Sequence, residues 1–222
     1  MNLDLSIENL EKAVHEIKKA SLSDDKTLLG NALALNKESD LIDAGQSEFK
    51  VIIFGDLDDF KSLNDTHTHE AGDTALRETG NTIYKLFVEK LNAKAFRPSG
   101  DEFVILINEN NLADFANQTE NFKSINFNYK GKKLSAKMSF GIAINDNKTS
   151  FSELLGRAET ACLTAKNIGD GISVIWNEEI EQNALASFRK KCEKCNSVNR
   201  CFIPKRNAPK GISYCANCGR KF

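Results

Sequence analysis

Two continuous apolar segments in this chain each abut a run of acids, and that pairing constrains the fold more than any other feature. Phe49-Lys-Val-Ile-Ile-Phe-Gly55 runs directly into Asp56-Leu-Asp-Asp-Phe-Lys61, and further along Arg97-Pro-Ser-Gly-Asp101 leads into Glu102-Phe-Val-Ile-Leu-Ile107. Unbroken runs of branched and aromatic residues read as strands buried on both faces. The small Ser99-Gly100 pair suits the tip of a tight hairpin, where positive φ is needed, and sets Asp101 and Glu102 at its mouth. Asp56 emerges at the carboxyl end of its strand, where sheet ligands gather. Paired strands lie about 4.8 Å apart, so the carboxylates converge if these two are neighbours.

Converging carboxylates repel one another, and a hard cation such as magnesium, bound through oxygen, keeps them ionised. Two such ions, about 3.5–4 Å apart, would activate an attacking hydroxyl and stabilise the charge on a nucleoside triphosphate. Each run also has a purely architectural reading when taken alone. Asp56, Asp58 and Asp59 then end a strand and cap a helix, while Asp101 shapes a turn.

Taken together, the runs resemble the GGDEF-type diguanylate cyclases, which condense two GTP molecules into cyclic di-GMP. The resemblance covers roughly residues 48–176. It includes Ser99-Gly-Asp-Glu-Phe103, an SGDEF variant of the signature, and Asp56-Leu-Asp-Asp-Phe-Lys61. Asn64-Asp65, His69, Gly72-Asp73, Leu76 and Ser139-Phe-Gly141 follow in the family's order, and Arg157 to Lys166 looks like its last helix. The resemblance implies a palm-like α+β fold, as in nucleotidyl cyclases, with helices on a mostly antiparallel sheet.

It also implies roles for individual residues. Asp56 and the Leu57 carbonyl match metal ligands, as do Asp101 and Glu102, which help deprotonate the ribose 3′-hydroxyl. The implied cofactor is magnesium or manganese, two ions per site. Asp59, Phe60, Lys61 and Lys166 match groups that meet the phosphates, at the start of a helix whose free N–H groups favour anions. Asn64 and Asp73 match the residues that read guanine. An ionised Asp accepts two hydrogen bonds from guanine N1–H and its exocyclic amine, which adenine does not offer at that edge, so GTP is the expected substrate. A homodimer with facing sites is implied for catalysis.

Several positions depart from the family. Ser99 replaces the first glycine, Thr68 stands where glycine normally precedes the matched histidine, and Lys90-Leu-Asn-Ala93 replaces the upstream product-inhibition signature. The family's motif ahead of the first strand is not clear in Thr27–Lys37. Asp170 occupies a position where the family has an arginine that holds triphosphate, and an acid there should repel phosphate.

Around this site the apolar pattern predicts strand, helix, hairpin, helix, strand, helix and strand after residue 48. Ala71–Lys90 has helical spacing with Asp73 as a candidate cap, residues 133–144 read as a strand, Phe151–Asn167 as a helix ended at Gly169, and 172–176 as the last strand. Leu3, Ile7, Leu10, Val14 and Ile17 predict an amphipathic helix in a segment spanning 1–47, ahead of a catalytic domain at 48–188. His67 and His69 are two apart and point in different directions on a helix, which disfavours a metal site.

At 222 residues, 41% hydrophobic and 27% charged, the chain suits a soluble globule. Residues 1–8 lack the positive start and apolar run of a signal peptide and no apolar stretch approaches 18 residues, so neither a leader nor a membrane span is expected. A cytoplasmic protein without a membrane partner is expected.

The charge is divided unevenly. Arg189–Phe222 holds ten Lys and Arg against the single acid Glu193, leaving twenty basic and thirty acidic residues upstream. Within this basic tail, Cys192-Glu-Lys-Cys195 and Cys215-Ala-Asn-Cys218 are separated by nineteen residues and resemble a zinc ribbon. Two such knuckles place four thiolates tetrahedrally around one structural zinc. A segment this short needs the metal in order to fold. Of the other cysteines, Cys201 is spare and Cys162 is expected to pack as a small apolar residue.

The positive tail invites nucleic acid or an acidic protein as a partner. The expected function is a diguanylate cyclase with a zinc ribbon at residues 189–222. Two alternatives stand beside it: an inactive GGDEF-like nucleotide-binding module whose ribbon binds nucleic acid or protein, and a cyclase making a different cyclic or linear oligonucleotide.

Overall fold

The computed structural model describes residues 21–180, 188–191 and 198–201. The helix expected over residues 3–22 and the four-cysteine ribbon therefore lie outside the described residues, save for two short strands, β7 (Phe188–Lys191) and β8 (Val198–Cys201), which pair antiparallel. The chain divides into two compact units at Ile175/Trp176.

The first unit is an α+β layer built on one sheet, in the order β2-β3-β1-β5-β4, with β6 joined to β5. Its strands are β1 (Val51–Asp58), β2 (Lys94–Ser99), β3 (Glu102–Ile107), β4 (Ile125–Tyr129), β5 (Lys132–Ile144) and β6 (Ser173–Ile175). The pairings are antiparallel apart from β5 with β6. β1 lies between β3 and β5, and helices cover both faces of the sheet. That is why its apolar run is continuous rather than alternating.

Strand periodicity sorts the residues between two cores. On one face Val51, Ile53, Leu57, Phe103, Ile105 and Phe140 pack with Leu76, Ile83 and Phe87 of the helical segment. There Phe87 stacks on Phe122 at 5.3 Å between ring centroids, with Phe115 at 4.6 Å. On the other face Ile52, Phe54, Val104, Leu106 and Ala143 pack with Leu35 and Ile42 of α1 (Ala32–Asp43) and with Leu154, Ala158 and Cys162 of the last helix. The shared core thus begins ahead of residue 48. Cys162 is buried among apolar neighbours as expected, and burial pushes its thiol up to about 12.

Between β1 and β2 the chain forms α2 (Phe60–His67) and α3 (His69–Ile83), which runs on helically to Leu91. The break falls at Thr68, whose φ of +140° is the conformation glycine tolerates best, and its hydroxyl lies 2.8 Å from that of Tyr129. Asp73 does not cap α3, since the helix starts four residues earlier, at His69. After α4 (Leu112–Gln118) comes β4, a strand the sequence pattern does not predict. Its Asn126 and Asn128 are poor strand formers, and pairing with β5 overrides them. The last helix, α5 (Phe151–Ile168), is capped by the Ser150 side chain, which accepts a hydrogen bond from the Glu153 N–H, and it ends at Gly169 as expected.

Candidate active site

The β1–β3 register sets Asp56 opposite Glu102, and the β1–β5 register sets Asp56 opposite Ser139. Alternation puts Asp56, Asp58, Glu102 and Ser139 on the sheet face that α5 covers. The β2–β3 hairpin turns through Gly100, at φ +56°, and the Asp101 carbonyl accepts from the Leu57 N–H at 3.2 Å. The two acidic runs therefore meet as their strand-and-turn reading predicts.

Lys166, near the end of α5, reaches into this group. Its ammonium donates to Asp56 Oδ1 and, at 3.0 Å, to the Leu57 carbonyl. A cation is thus held by the same two groups to which the resemblance gives metal-ligand roles. Burial raises the pKa of Asp56, opposed by Lys166 and reinforced by Asp101 and Glu102. Burial also raises Glu102, with Glu159 and Asp101 adding repulsion. Among the described residues no group of three or more His, Cys, Asp or Glu side chains is arranged to hold a metal ion. The donor set nevertheless fits a hard cation: the Asp56 carboxylate and the Leu57 carbonyl already bind an ammonium, and the Glu102 carboxylate faces Asp56.

Asp58 is a residue to which the sequence reading gave only an architectural role. Only 5% exposed, it accepts from Ser139 Oγ at 3.0 Å and from the Gly171 N–H at 2.8 Å. Its Oδ1 is buried without a hydrogen-bond partner, 3.9 Å from the Lys166 ammonium. Burial raises its pKa against these hydrogen bonds. Asp58 thereby fixes the loop after α5, which carries Asp170. Asp170 does not stand alone, because Lys137 of β5 pairs with it at 2.9 Å. Both line a cleft of about 250 Å³ with Asp58, Asp59 and Phe60 at the start of α2.

Asn64 and Asp73 lie on adjoining helices. The α2–α3 contact is so close there that a Cβ on Gly72 would stand 2.0 Å from Asn64 Oδ1. Asp73 pairs with Lys26 at 2.5 Å. Lys61, exposed on α2, has no role in this packing.

Sequence reading missed the segment that steadies the hairpin. Asp24 accepts from the Thr27 N–H at 2.9 Å and hydroxyl at 2.7 Å, and pairs with Arg97 at 2.8 Å. Arg97 also donates twice to the Gly100 carbonyl, at 2.9 and 2.7 Å. Burial pushes Asp24 up, but the bonds from Thr27 and Arg97 outweigh it and hold the carboxyl below its usual value. The Asp-x-x-Thr spacing, a local side-chain-to-backbone motif, is the signal that identifies it.

The family model described as "Diguanylate cyclase, GGDEF domain" matches residues 21–171. The chain is 33% identical over 144 residues to the probable diguanylate cyclase DgcE of Escherichia coli K12, a match covering 62% of this chain and 13% of that protein. It is 29% identical over 221 residues to MucR of Pseudomonas aeruginosa, a bifunctional diguanylate cyclase/cyclic di-GMP phosphodiesterase, covering 91% and 31%. The chain therefore spans under a third of either relative. Among solved structures, the diguanylate cyclase SiaD of Pseudomonas aeruginosa, crystallised with its activator SiaC, superimposes with a TM-score of 0.67 at 23% identity over 78% of this chain and 68% of that one. The coiled coil and GGDEF domain of DgcB from Caulobacter crescentus, in complex with c-di-GMP, gives 0.66 at 22%, over 78% and 94%. These structural likenesses concern the fold. Together with the acidic hairpin set against the end of β1, the family match over residues 21–171 shows that the chain belongs to the GGDEF diguanylate cyclase family.

Proposed function

We propose that the chain is a diguanylate cyclase that condenses two GTP into cyclic di-GMP, each of two facing protomers presenting one GTP to the other. The observation that carries this reading is the cross-strand meeting of Asp56 and Glu102 with a cation already bound to Asp56 and the Leu57 carbonyl. Asp56, that carbonyl, Asp101 and Glu102 would hold magnesium or manganese. When bound, such ions neutralise phosphate charge and make the ribose 3′-hydroxyl easier to deprotonate.

The chain's own groups do the rest. The N–H groups at the start of α2, with Asp59, Phe60 and Lys61, receive the phosphates, and Lys166 can leave Asp56 for a phosphate oxygen. Glu102, whose pKa burial raises, takes the 3′-hydroxyl proton with help from Asp101. The 3′-oxygen bonds to the α-phosphorus and pyrophosphate departs. Asn64 and Asp73 hold guanine. Lys137 offsets the charge of Asp170, so the missing family arginine leaves a neutral pair in its place.

Incubating the full chain with each NTP and magnesium, followed by mass analysis, tests this reading. Cyclic di-GMP from GTP alone is expected. Another cyclic or linear oligonucleotide would change the substrate, and GTP binding without any product would leave a nucleotide-binding module. Asp73→Ala should weaken GTP binding selectively, and an unchanged affinity would remove Asp73 from base recognition. We further propose that Cys192, Cys195, Cys215 and Cys218 hold one structural zinc. The basic charge of that segment would suit an acidic partner, nucleic acid or protein. Metal analysis of protein purified without chelator should find one zinc per chain, and a content near zero would remove the ribbon.

A further inference from the structure

We infer that Lys26 is a specificity-determining residue which donates to guanine O6 and so completes the base-recognition edge begun by Asp73. This inference rests on the proposed reading of Asn64 and Asp73 as the guanine site. Lys26 Nζ lies 2.5 Å from Asp73 Oδ1, across 47 residues of sequence. Each side chain is a little over one-third exposed, 38% and 36%, so the pair faces solvent and a ligand can reach it.

The placement of Lys26 is fixed by its neighbours. Thr27, 5% exposed, packs so closely on α3 that a Cβ at Gly80 would lie 2.7 Å from its side chain. Asp24, three residues from Thr27, anchors the same turn through Arg97, and Leu29 sits in the core. The loop is therefore held between α3 and the hairpin, with one ammonium directed at the Asp73 carboxylate.

The chemistry of the base then selects among ligands. Guanine presents, side by side, the O6 acceptor, the N1–H donor and the exocyclic amine donor. A carboxylate next to an ammonium offers the complementary order, with two acceptor oxygens for the donors and an N–H⁺ for O6. A purine carrying an amine at position 6 turns a donor toward the ammonium and leaves it unsatisfied. The ion pair also orients the Asp73 carboxylate before the base arrives, which lowers the ordering cost of binding.

The test compares binding by the full chain of GTP and of 2,6-diaminopurine ribonucleoside triphosphate, which keeps the 2-amine but has an amine in place of O6 and an acceptor nitrogen in place of N1–H. Wild type, Lys26→Met, Lys26→Arg and Asp73→Ala are measured by calorimetry with calcium in place of magnesium. Lys26→Met should weaken GTP by about tenfold or more, the range of a charge-assisted hydrogen bond, while leaving the diaminopurine nucleotide unchanged or tighter. Lys26→Arg should retain most of the preference for GTP. If Lys26→Met binds GTP as well as wild type or better, Lys26 merely occupies Asp73 and the inference falls. If Asp73→Ala binds GTP as wild type does, the reading of the guanine site falls first and takes this inference with it.

Discussion

Gly141 of β5 faces α5 at a distance no other residue can accept. A Cβ there would stand 1.9 Å from the Ala158 carbonyl oxygen and 2.2 Å from the Cys162 nitrogen, both backbone atoms of α5. Backbone within a helix cannot swing aside as a side-chain end does. To reach an ordinary 3.4 Å contact, α5 must retreat from the sheet by about 1.5 Å. That puts Gly141→Ala at the upper end of overpacking costs, about 3 kcal/mol. For a chain of this size the melting temperature should drop by roughly 6–12 °C. Because Lys166 rides on α5, the same shift pulls its ammonium from Asp56 and Leu57 and should weaken GTP binding. Gly156, within the same helix, is the control. A Cβ there meets nothing within 4 Å, so Gly156→Ala should stabilise by about 0.5–1 kcal/mol through helix propensity. Urea or thermal unfolding of both variants decides the matter. A Gly141→Ala protein within about 0.5 kcal/mol of wild type would refute the argument that backbone contact at this site sets the distance between helix and sheet.

Asp24→Asn should destabilise by about 2 kcal/mol at pH 7, the scale of a hydrogen-bonded charge. The folded state holds Asp24 below its usual 3.8, so its contribution is complete above that value and is lost as pH falls through the folded value. Urea unfolding at pH 7 and at about pH 3 should show the difference from wild type closing in acid, and an undiminished gap would assign Asp24 a role independent of its charge. Glu102→Gln should abolish nucleotide condensation yet raise stability without divalent ions by on the order of 0.5 kcal/mol, because Glu102 directly opposes Asp56 across the strands. Loss of stability in that variant would contradict carboxylate repulsion at the site.

How much of this was legible locally depends on the range of the interactions involved. β1 and β3 declared themselves by composition, which already placed Asp56 at the carboxyl end of its strand and Asp101 and Glu102 at the hairpin mouth. The hairpin followed from the Ser99-Gly100 pair, and α5 from the helical stretch Phe151–Asn167 ended at Gly169. β4 was hidden because its asparagines disfavour a strand in isolation, and the break at Thr68 because a positive φ at threonine opposes local preference.

The sequence by itself determined β1, β3 and α5, and that the two acidic runs would converge if β1 and β3 were neighbours. Short-range preferences and apolar periodicity act over a few residues and can be read there. Only the tertiary structure decided the partners of the charges: Lys166 on Asp56 across 110 positions, Arg97 on Asp24 across 73, and Lys26 on Asp73 across 47. Lysines and acids are abundant along the chain, and closing a longer loop costs only slightly more than closing a shorter one. Spacing therefore does not select among them. Sheet register and the packing of α5 and the Asp24–Gly30 loop bring each cation to its carboxylate.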